Sequence, residues 1–358
     1  MPRGRNCGEC SYLFESAGKG DECRPKAQKR SRKEIQKPTR KKPRNLVKYG
    51  LGTERPEMVS GETVEIQHGR LQAEATAAEI LARADAEGGK ITDGDVARVF
   101  NLWSFKKNDV RVNVIPEGQQ WVFSDTLGLI RSRCGQYLLT GPAKAYPLVV
   151  RLVNRWMKGC WGERSERPFC FTSISVNSGY AAKLHRDGGN HGPSIGRAVG
   201  DFTGGLLGYF AEDDKTMDLD TLKAHHEQEA VYCDVKTGFQ VFDGNRGHWV
   251  EPFQGERVSF VFFTVGKYWK TSSDVLADLK DLLFEIPDPA SMAHAESLLP
   301  KPRGYGAKQL PRMASLPDMF GKAQPRPQVV KRLWEVPKET ARKQGHGEHN
   351  VLAWLRGH

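Results

Sequence analysis

The spacing of apolar positions along this 358-residue chain changes several times, and each change marks an element. Residues 70–84, RLQAEATAAEILARA, are rich in Ala, Leu and Glu and predict a helix, which the GGK at 88–90 breaks. Thr92, with Asp95 three residues on, is placed to cap a second helix through Val96, Val99, Phe100 and Trp103. From Val110 the period falls to two. VRVNVI and QQWVFS read as strands, and Ser124-Asp125-Thr126 introduces LGLIRSR. In residues 146–161, YPLVVRLVNRWMKGCW, Leu148, Val149, Leu152, Val153, Trp156 and Met157 share one side and Arg151, Asn154, Arg155 and Lys158 the other. That pattern is a helix lying on the outside of a sheet. Residues 166–177 form a nearly continuous apolar run, as a buried strand would. Short strands follow at LLGYF, VYCDV, GFQVFDG and ERVSFVFFTV, and the acidic segment 211–230 between the first two reads as an exposed insertion.

Beyond Lys270, SSDVLADLKDLLFEI is an amphipathic helix capped by Ser272 or Ser273. Residues 287–330 are rich in Pro and Gly and predict extended, wrapped or disordered chain, with a last short helix over 349–356. At least eight strands with no alternating parallel series imply a mainly β fold with flanking helices (α+β), arranged as a double-stranded β-helix or jelly roll. Four regions are expected: a basic disordered tail with a Cys cluster at 1–48, a helical preface at 49–109, the double-stranded β-helix at 110–270, and a C-terminal helix with a Pro/Gly-rich tail at 271–358.

Charge sharpens this division. The chain carries +11 overall, but residues 1–48 hold 15 Lys/Arg against 5 Asp/Glu, and the rest is close to neutral. KRSRK at 29–33 and TRKKPR at 39–44 form two basic clusters broken by Pro38 and Pro43. Such a tail can bind phosphate backbone, act as a nuclear localisation signal, or serve only as a solvated extension. Cys7, Cys10 and Cys23 have the spacing of a zinc knuckle but lack a fourth nearby ligand. Seven scattered Cys, no apolar run of 18 residues and no signal-peptide pattern lead to the expectation of an intracellular, reducing compartment and no membrane span. Oligomeric state is not legible.

The candidate chemistry lies between Phe169 and Val265. His185-Arg186-Asp187 is followed 61 positions after Asp187 by His248, and Arg257 comes nine further on. An isolated HxD is usually a surface accident. Here it is followed by a glycine-punctuated strand, a distal His and an Arg opening an apolar strand. Two His and one carboxylate can occupy one face of an octahedral ion and leave the other open, as in non-haem Fe(II) oxygenases. On a strand, i and i+2 share a face, so His185 and Asp187 can reach one ion. Arg257 and Ser259 likewise share a face, and a planar guanidinium can clamp a carboxylate through two parallel hydrogen bonds. His191 and the His225-His226 pair read as surface histidines.

The residues SVNSGYAAKLHRDGGNHGPSIGRAVGDFTGGLLGYF, followed by GHWVEPFQGERVSFVFFT, resemble the Fe(II)/2-oxoglutarate dioxygenase superfamily over about residues 110–268. Within it they are most similar to the TET/JBP-like branch, which oxidises thymine or 5-methylcytosine in nucleic acid; Asn190, Ser194 and the GDFTGG turn carry that likeness. The resemblance implies a jelly roll, Fe(II), the cosubstrate 2-oxoglutarate, and O2. It implies His185, Asp187 and His248 as metal ligands and catalytic centre. It also implies Arg257, Ser259, Asn177 and Tyr180 around the cosubstrate, with Asn190 and Ser194 shaping the mouth. Asn177 and Tyr180 could equally satisfy buried backbone. The expected function is hydroxylation of a methylated base, with nucleic acid bound through the basic tail of a nuclear protein. The alternatives are a prolyl-type protein hydroxylase, or an inactive jelly roll that binds nucleic acid.

Overall fold

The computed structural model of the chain describes residues 61–306, apart from 164 and 166. The basic clusters, Cys7, Cys10, Cys23 and the expected helix at 349–356 lie outside the described residues. Helix α1 (Val64–Glu87) starts where the Thr63 side chain accepts the Ile66 N–H and stops at Gly88, whose left-handed φ of 61° closes the cap. It is longer at both ends than its Ala-rich centre predicts. Helix α2 (Asp93–Leu102) opens on the Thr92 cap, with Asp95 returning the bond in a capping box.

Strands β1 (Lys107–Asn108), β2 (Val122–Arg131) and β3 (Tyr137–Leu139) follow. QQWVFS and LGLIRSR thus contribute to one long strand. The expected strand at 110–115 is a correction: VRVNVI is irregular and turn-like, and Val110 and Val112 are 64% and 67% exposed. Its alternation lacks a partner strand, and hydrogen bonding decides the backbone of so short a segment. The short helix α3 (Gly141–Ala145) leads into α4 (Pro147–Gly162). Two of the free N–H groups at the start of α4, those of Leu148 and Val149, donate to the carboxylate of Glu74 on α1 at 2.9 Å each. Trp156 of α4 is fully buried against Phe239, Phe260 and Phe262, with ring centroids 5.1, 5.3 and 6.4 Å away.

The remaining elements are β4 (Ser173–Ser178), β5 (Ser194–Val199), β6 (Phe202–Gly204), β7 (Leu207–Tyr209), α5 (Leu219–His226), β8 (Val231–Cys233), β9 (Gln240–Phe242), β10 (His248–Val250), β11 (Phe253–Gly255), β12 (Val258–Phe263), α6 (Ser273–Asp281) and α7 (Pro289–Ser297). The apolar run at 166–177 becomes a strand only from Ser173. Helix α7 corrects the expectation of structureless chain after 287: Asp288 and Ser291 form a capping box around Pro289, which suits a helix start. Segment 211–230 also departs from a plain exposed insertion. It contains α5, and Asp213 and Leu222 are 2% and 1% exposed.

All strand pairings among the described residues are antiparallel, so the fold is α+β with helices flanking antiparallel sheets. The main sheet runs β1-β2-β4-β12-β5-β9, with β3 added on β2; a smaller sheet runs β10-β7-β8, and β6 pairs with β11. Along β12, Phe260 and Phe262 meet Trp156 on the helix-covered face. Alternation therefore turns Ser259, Val261 and Phe263 to the opposite face. On that face Ser259 stands across from Asn177, and Val261 across from Ser175.

Candidate metal centre

His185 and His248 come together through backbone pairing. The His185 N–H donates to the His248 carbonyl at 2.9 Å, and the His248 N–H returns the bond at 3.0 Å. Val250 donates to Ala182 at 2.9 Å, so the chain before the HxD lies beside β10 at the edge of the smaller sheet. Directly opposed residues of an antiparallel pair send their side chains to one face. The two imidazole centroids are accordingly 4.1 Å apart. Asp187 is fixed by its own N–H, which donates to the Gly244 carbonyl at 2.7 Å. One Asp187 oxygen lies 3.8 Å from His185 Nε2 and the other 3.9 Å from His248 Nε2. One ligand atom from each of the three residues lies within 4.8 Å of the others.

The protonation pattern suits a metal. Nδ1 of His185 is 2.7 Å from the Lys183 carbonyl, and Nδ1 of His248 is 2.9 Å from that of Arg246. A carbonyl only accepts, so each Nδ1 carries the proton and each Nε2 presents a lone pair towards Asp187. Burial pushes the His185 pKa well below the usual imidazole range, with neighbouring His248 adding to the fall and Asp187 opposing it. Burial likewise lowers that of His248. Two buried neutral imidazoles and a half-buried carboxylate that converge with them fit a divalent first-row ion with open coordination positions.

A cavity of about 200 Å³ opens from these three residues and is also lined by Arg257, Ser259, Asn177 and Tyr180. The structure thus brings the three candidate ligands and the four candidate cosubstrate contacts around one space. Arg257 lies just before β12 and is 5% exposed. Its guanidinium sits 5.5 and 5.3 Å from the ring centres of Phe202 and Phe253. Nη2 makes a long contact of 3.5 Å to the Gly205 carbonyl, and Nε has no hydrogen-bond partner among the described residues. Gly205, at φ 71°, clears the way: a Cβ there would stand 3.0 Å from Nε. Burial pushes the Arg257 pKa down to about 10. A buried cation with unused donors is poised for an anion.

Asn177 and Tyr180 are tied together, the Tyr180 hydroxyl donating to Asn177 Oδ1 at 2.8 Å. That oxygen also accepts from Ser124 and Ser175 Oγ at 2.9 and 3.2 Å, and from Arg111 Nη1 at 3.1 Å. Arg111 is a cavity residue the sequence did not reveal. Its Nη1 also donates to Ser124 and Ser175 Oγ at 2.9 Å each. Between two valines it reads as the outer position of a strand, and the turn reverses that. Asn190 lines the cavity, whereas Ser194 is fully buried on β5 behind the lining, its Oγ near Gly244 beside Asn190 and Asp187 and with no partner among the described residues. His191 packs near Trp269, 5.5 Å between ring centroids. His226 pairs with Glu229 at 2.8 Å and stacks on Tyr305. Among the described residues, none of His191, His225 and His226 joins a metal-competent cluster.

No protein-family model matches the chain, and no curated protein matches it by sequence. Solved structures similar to it include a 2OG-Fe(II) oxygenase-family oxidoreductase from Burkholderia pseudomallei, at 13% identity over 48% of this chain and 78% of that one, with a TM-score of 0.33. NgTET1 in complex with 5mC DNA is 15% identical over 44% of this chain and 69% of that one, with a TM-score of 0.28. A Trichoplax adhaerens prolyl hydroxylase, in complex with a hypoxia inducible factor peptide, is 14% identical over 54% and 90%, with a TM-score of 0.25. What the cavity can hold is decided by its own residues.

Proposed function

We propose that the chain is an Fe(II)- and 2-oxoglutarate-dependent dioxygenase that hydroxylates a methylated base, 5-methylcytosine or thymine, in nucleic acid. One observation carries the reading. A His–His–Asp cluster with both histidines buried, and a buried guanidinium with no anionic partner among the described residues, line the same small cavity. Such a space suits a ligand that chelates a metal at one end and carries a carboxylate at the other, which describes 2-oxoglutarate. His185, Asp187 and His248 would hold the iron, which when bound supplies the oxidative chemistry with O2. Arg257 clamps the far carboxylate, Ser259 adds a hydrogen bond, and Asn177 with Tyr180 forms the polar side wall. The antiparallel sheets are read as the two halves of a double-stranded β-helix spanning about 110–270, with the helices before it as preface.

For the substrate, support comes from the sequence: the TET/JBP-like likeness around the HxD, and the excess positive charge confined to residues 1–48. A base inside a duplex is out of reach of a cavity this size, so the substrate is a flipped or single-stranded nucleotide. The tail supplies sequence-independent phosphate contacts, and its basic clusters direct the protein to the nucleus. The test is incubation with methylated oligonucleotides, Fe(II) and 2-oxoglutarate, followed by nucleoside mass spectrometry and succinate measurement. Hydroxylated base with matching succinate is expected. Succinate without any base product would overturn the substrate, and no succinate under any condition would overturn the enzyme class.

A further inference from the structure

Arg186 stands between two of the candidate ligands, and its side chain does not line the cavity. Instead Nε and Nη2 fork onto the two oxygens of Asp213 at 2.7 Å each, and Nη2 also reaches the Met217 carbonyl at 2.9 Å. Asp213 is 2% exposed. The oxygen that takes Nε also accepts the backbone N–H of Gly247 at 2.7 Å, while the other accepts that of Lys215 at 2.9 Å. Gly247 immediately precedes His248. A single buried carboxylate therefore grips the residue shared by His185 and Asp187 and the residue next to His248. The neighbouring segment adds a second tie. The Arg246 carbonyl accepts the His248 Nδ1–H, and the Arg246 side chain donates to the carbonyls of Ala211 and Pro300 at 2.5 and 2.8 Å.

We propose that Asp213 is a positioning residue for the metal site, a bracket that locks the His185–Asp187 segment to the turn carrying His248 from outside the cavity. This rests on the reading of the three residues as metal ligands. A buried ion pair contributes little net stability, because desolvation offsets the attraction. What a bidentate fork does supply is fixed geometry. Here that geometry is passed through the backbone of residues 186 and 247 to three side chains that must meet one ion. Outer partners of this kind tune metal affinity without touching the metal.

The test uses the full chain, stripped of metal and titrated calorimetrically with Mn(II), with the absorption spectrum of the Co(II)-loaded chain as a second readout. Asp213→Asn keeps the shape but replaces one of the two accepting oxygens by an NH2 group, while Asp213→Ala removes the bracket. Asn154→Ala is the control for general loosening: Asn154 is buried on α4 and donates to the Leu282 carbonyl at 2.7 Å, remote from the cavity lining. Both Asp213 variants are expected to bind Mn(II) about 10- to 100-fold more weakly and to alter the Co(II) spectrum. Asn154→Ala is expected to lower the thermal midpoint and leave both readouts unchanged. If Asp213→Ala does not fold, Asp213→Asn decides. Wild-type affinity and spectrum in Asp213→Asn, or equal weakening in Asn154→Ala, would overturn the bracket alone. Failure of the wild-type chain to take up Mn(II) would overturn the metal reading and the bracket with it.

Discussion

Replacing Arg257 by Met should move two quantities in opposite directions. Without a ligand, the guanidinium is buried, no carboxylate of the described residues pairs with it, and its Nε is unpartnered. Burial pushes its pKa down to about 10, which corresponds to about 3 kcal/mol of unfavourable burial of the charged form. The sign follows directly. The folded pKa lies below the unfolded one, so the folded state bears this cost in full at every pH below about 10. The Phe202 and Phe253 rings recover about 1–2 kcal/mol as cation–π partners. Met keeps most of the volume and removes the charge. The ligand-free variant should therefore be more stable by about 1–2 kcal/mol, a rise of roughly 2–8 °C for a domain of this size. Ligand binding should go the other way. Two charge-assisted hydrogen bonds are lost, each worth about 1.5–3 kcal/mol, so affinity for 2-oxoglutarate should fall by at least about 100-fold. The assay is a thermal melt of Mn(II)-loaded wild type and variant, with and without 2-oxoglutarate, backed by calorimetric titration. A variant less stable than wild type that still binds 2-oxoglutarate equally would refute the assignment of Arg257 as an unpaired anion anchor.

Other perturbations probe separate parts of the molecule. His185→Ala and Asp187→Ala should each abolish succinate production while circular dichroism stays native; undiminished turnover in either would remove that residue from the centre. Arg257→Lys keeps the charge but loses the planar fork, and should raise the KM for 2-oxoglutarate about tenfold or more with Mn(II) binding unchanged; an unaltered KM would count against the clamp. Burial pushes Glu74 up to about 7 from 4.5. The folded protein therefore holds that proton more tightly, and stability should decline as pH rises from about 4.5 through 7. Urea unfolding of Glu74→Gln should show a flatter limb over this range, and an identical slope would refute the account. Deleting residues 1–48 should weaken DNA binding and reduce its dependence on salt, because fewer counterions are released; equal salt slopes for full and shortened chains would leave localisation as the tail's role.

How much could be read from the chain depended on whether the deciding interactions were local. The Thr92–Asp95 cap was legible because both partners sit within one turn. The face of α4 was legible because its apolar stripe repeats over four turns. The metal candidates could be named as an ordered set, but the sequence supplied no reason for His248 to face His185. That comes from a backbone pairing between segments far apart in the chain. Val110 to Ile115 was misread because alternation in six residues is weak evidence without a partner strand. Arg111 was hidden by the same error, since its cavity position depends on Ser124, Ser175 and Asn177 on two other strands. Asp213 looked like one acid among several in a polar stretch, and only the approach of Arg186 and Gly247 distinguishes it. Helix α7 is hidden in the sequence by the Pro/Gly-rich composition of 287–330, although Pro289 at a first helical position is compatible with the backbone.

The pairing of His185 with His248 also has a bearing on folding. Strands β7, β8 and β10 have three residues each, against six in β4 and β12, so the smaller sheet has few bonds of its own. An ion shared by the two histidines would cross-link that sheet's edge to a segment 63 residues earlier in the chain. The cross-link exists only in the folded state, so its binding free energy is added to the closure of that end of the molecule. Amide protons of His248 and Val250 should then exchange with solvent by local opening in the metal-free protein and become protected on loading, while those of β4 and β12 hardly change. The supply of one ion would thus govern whether one wall of the protein is shut or breathing, before any substrate arrives.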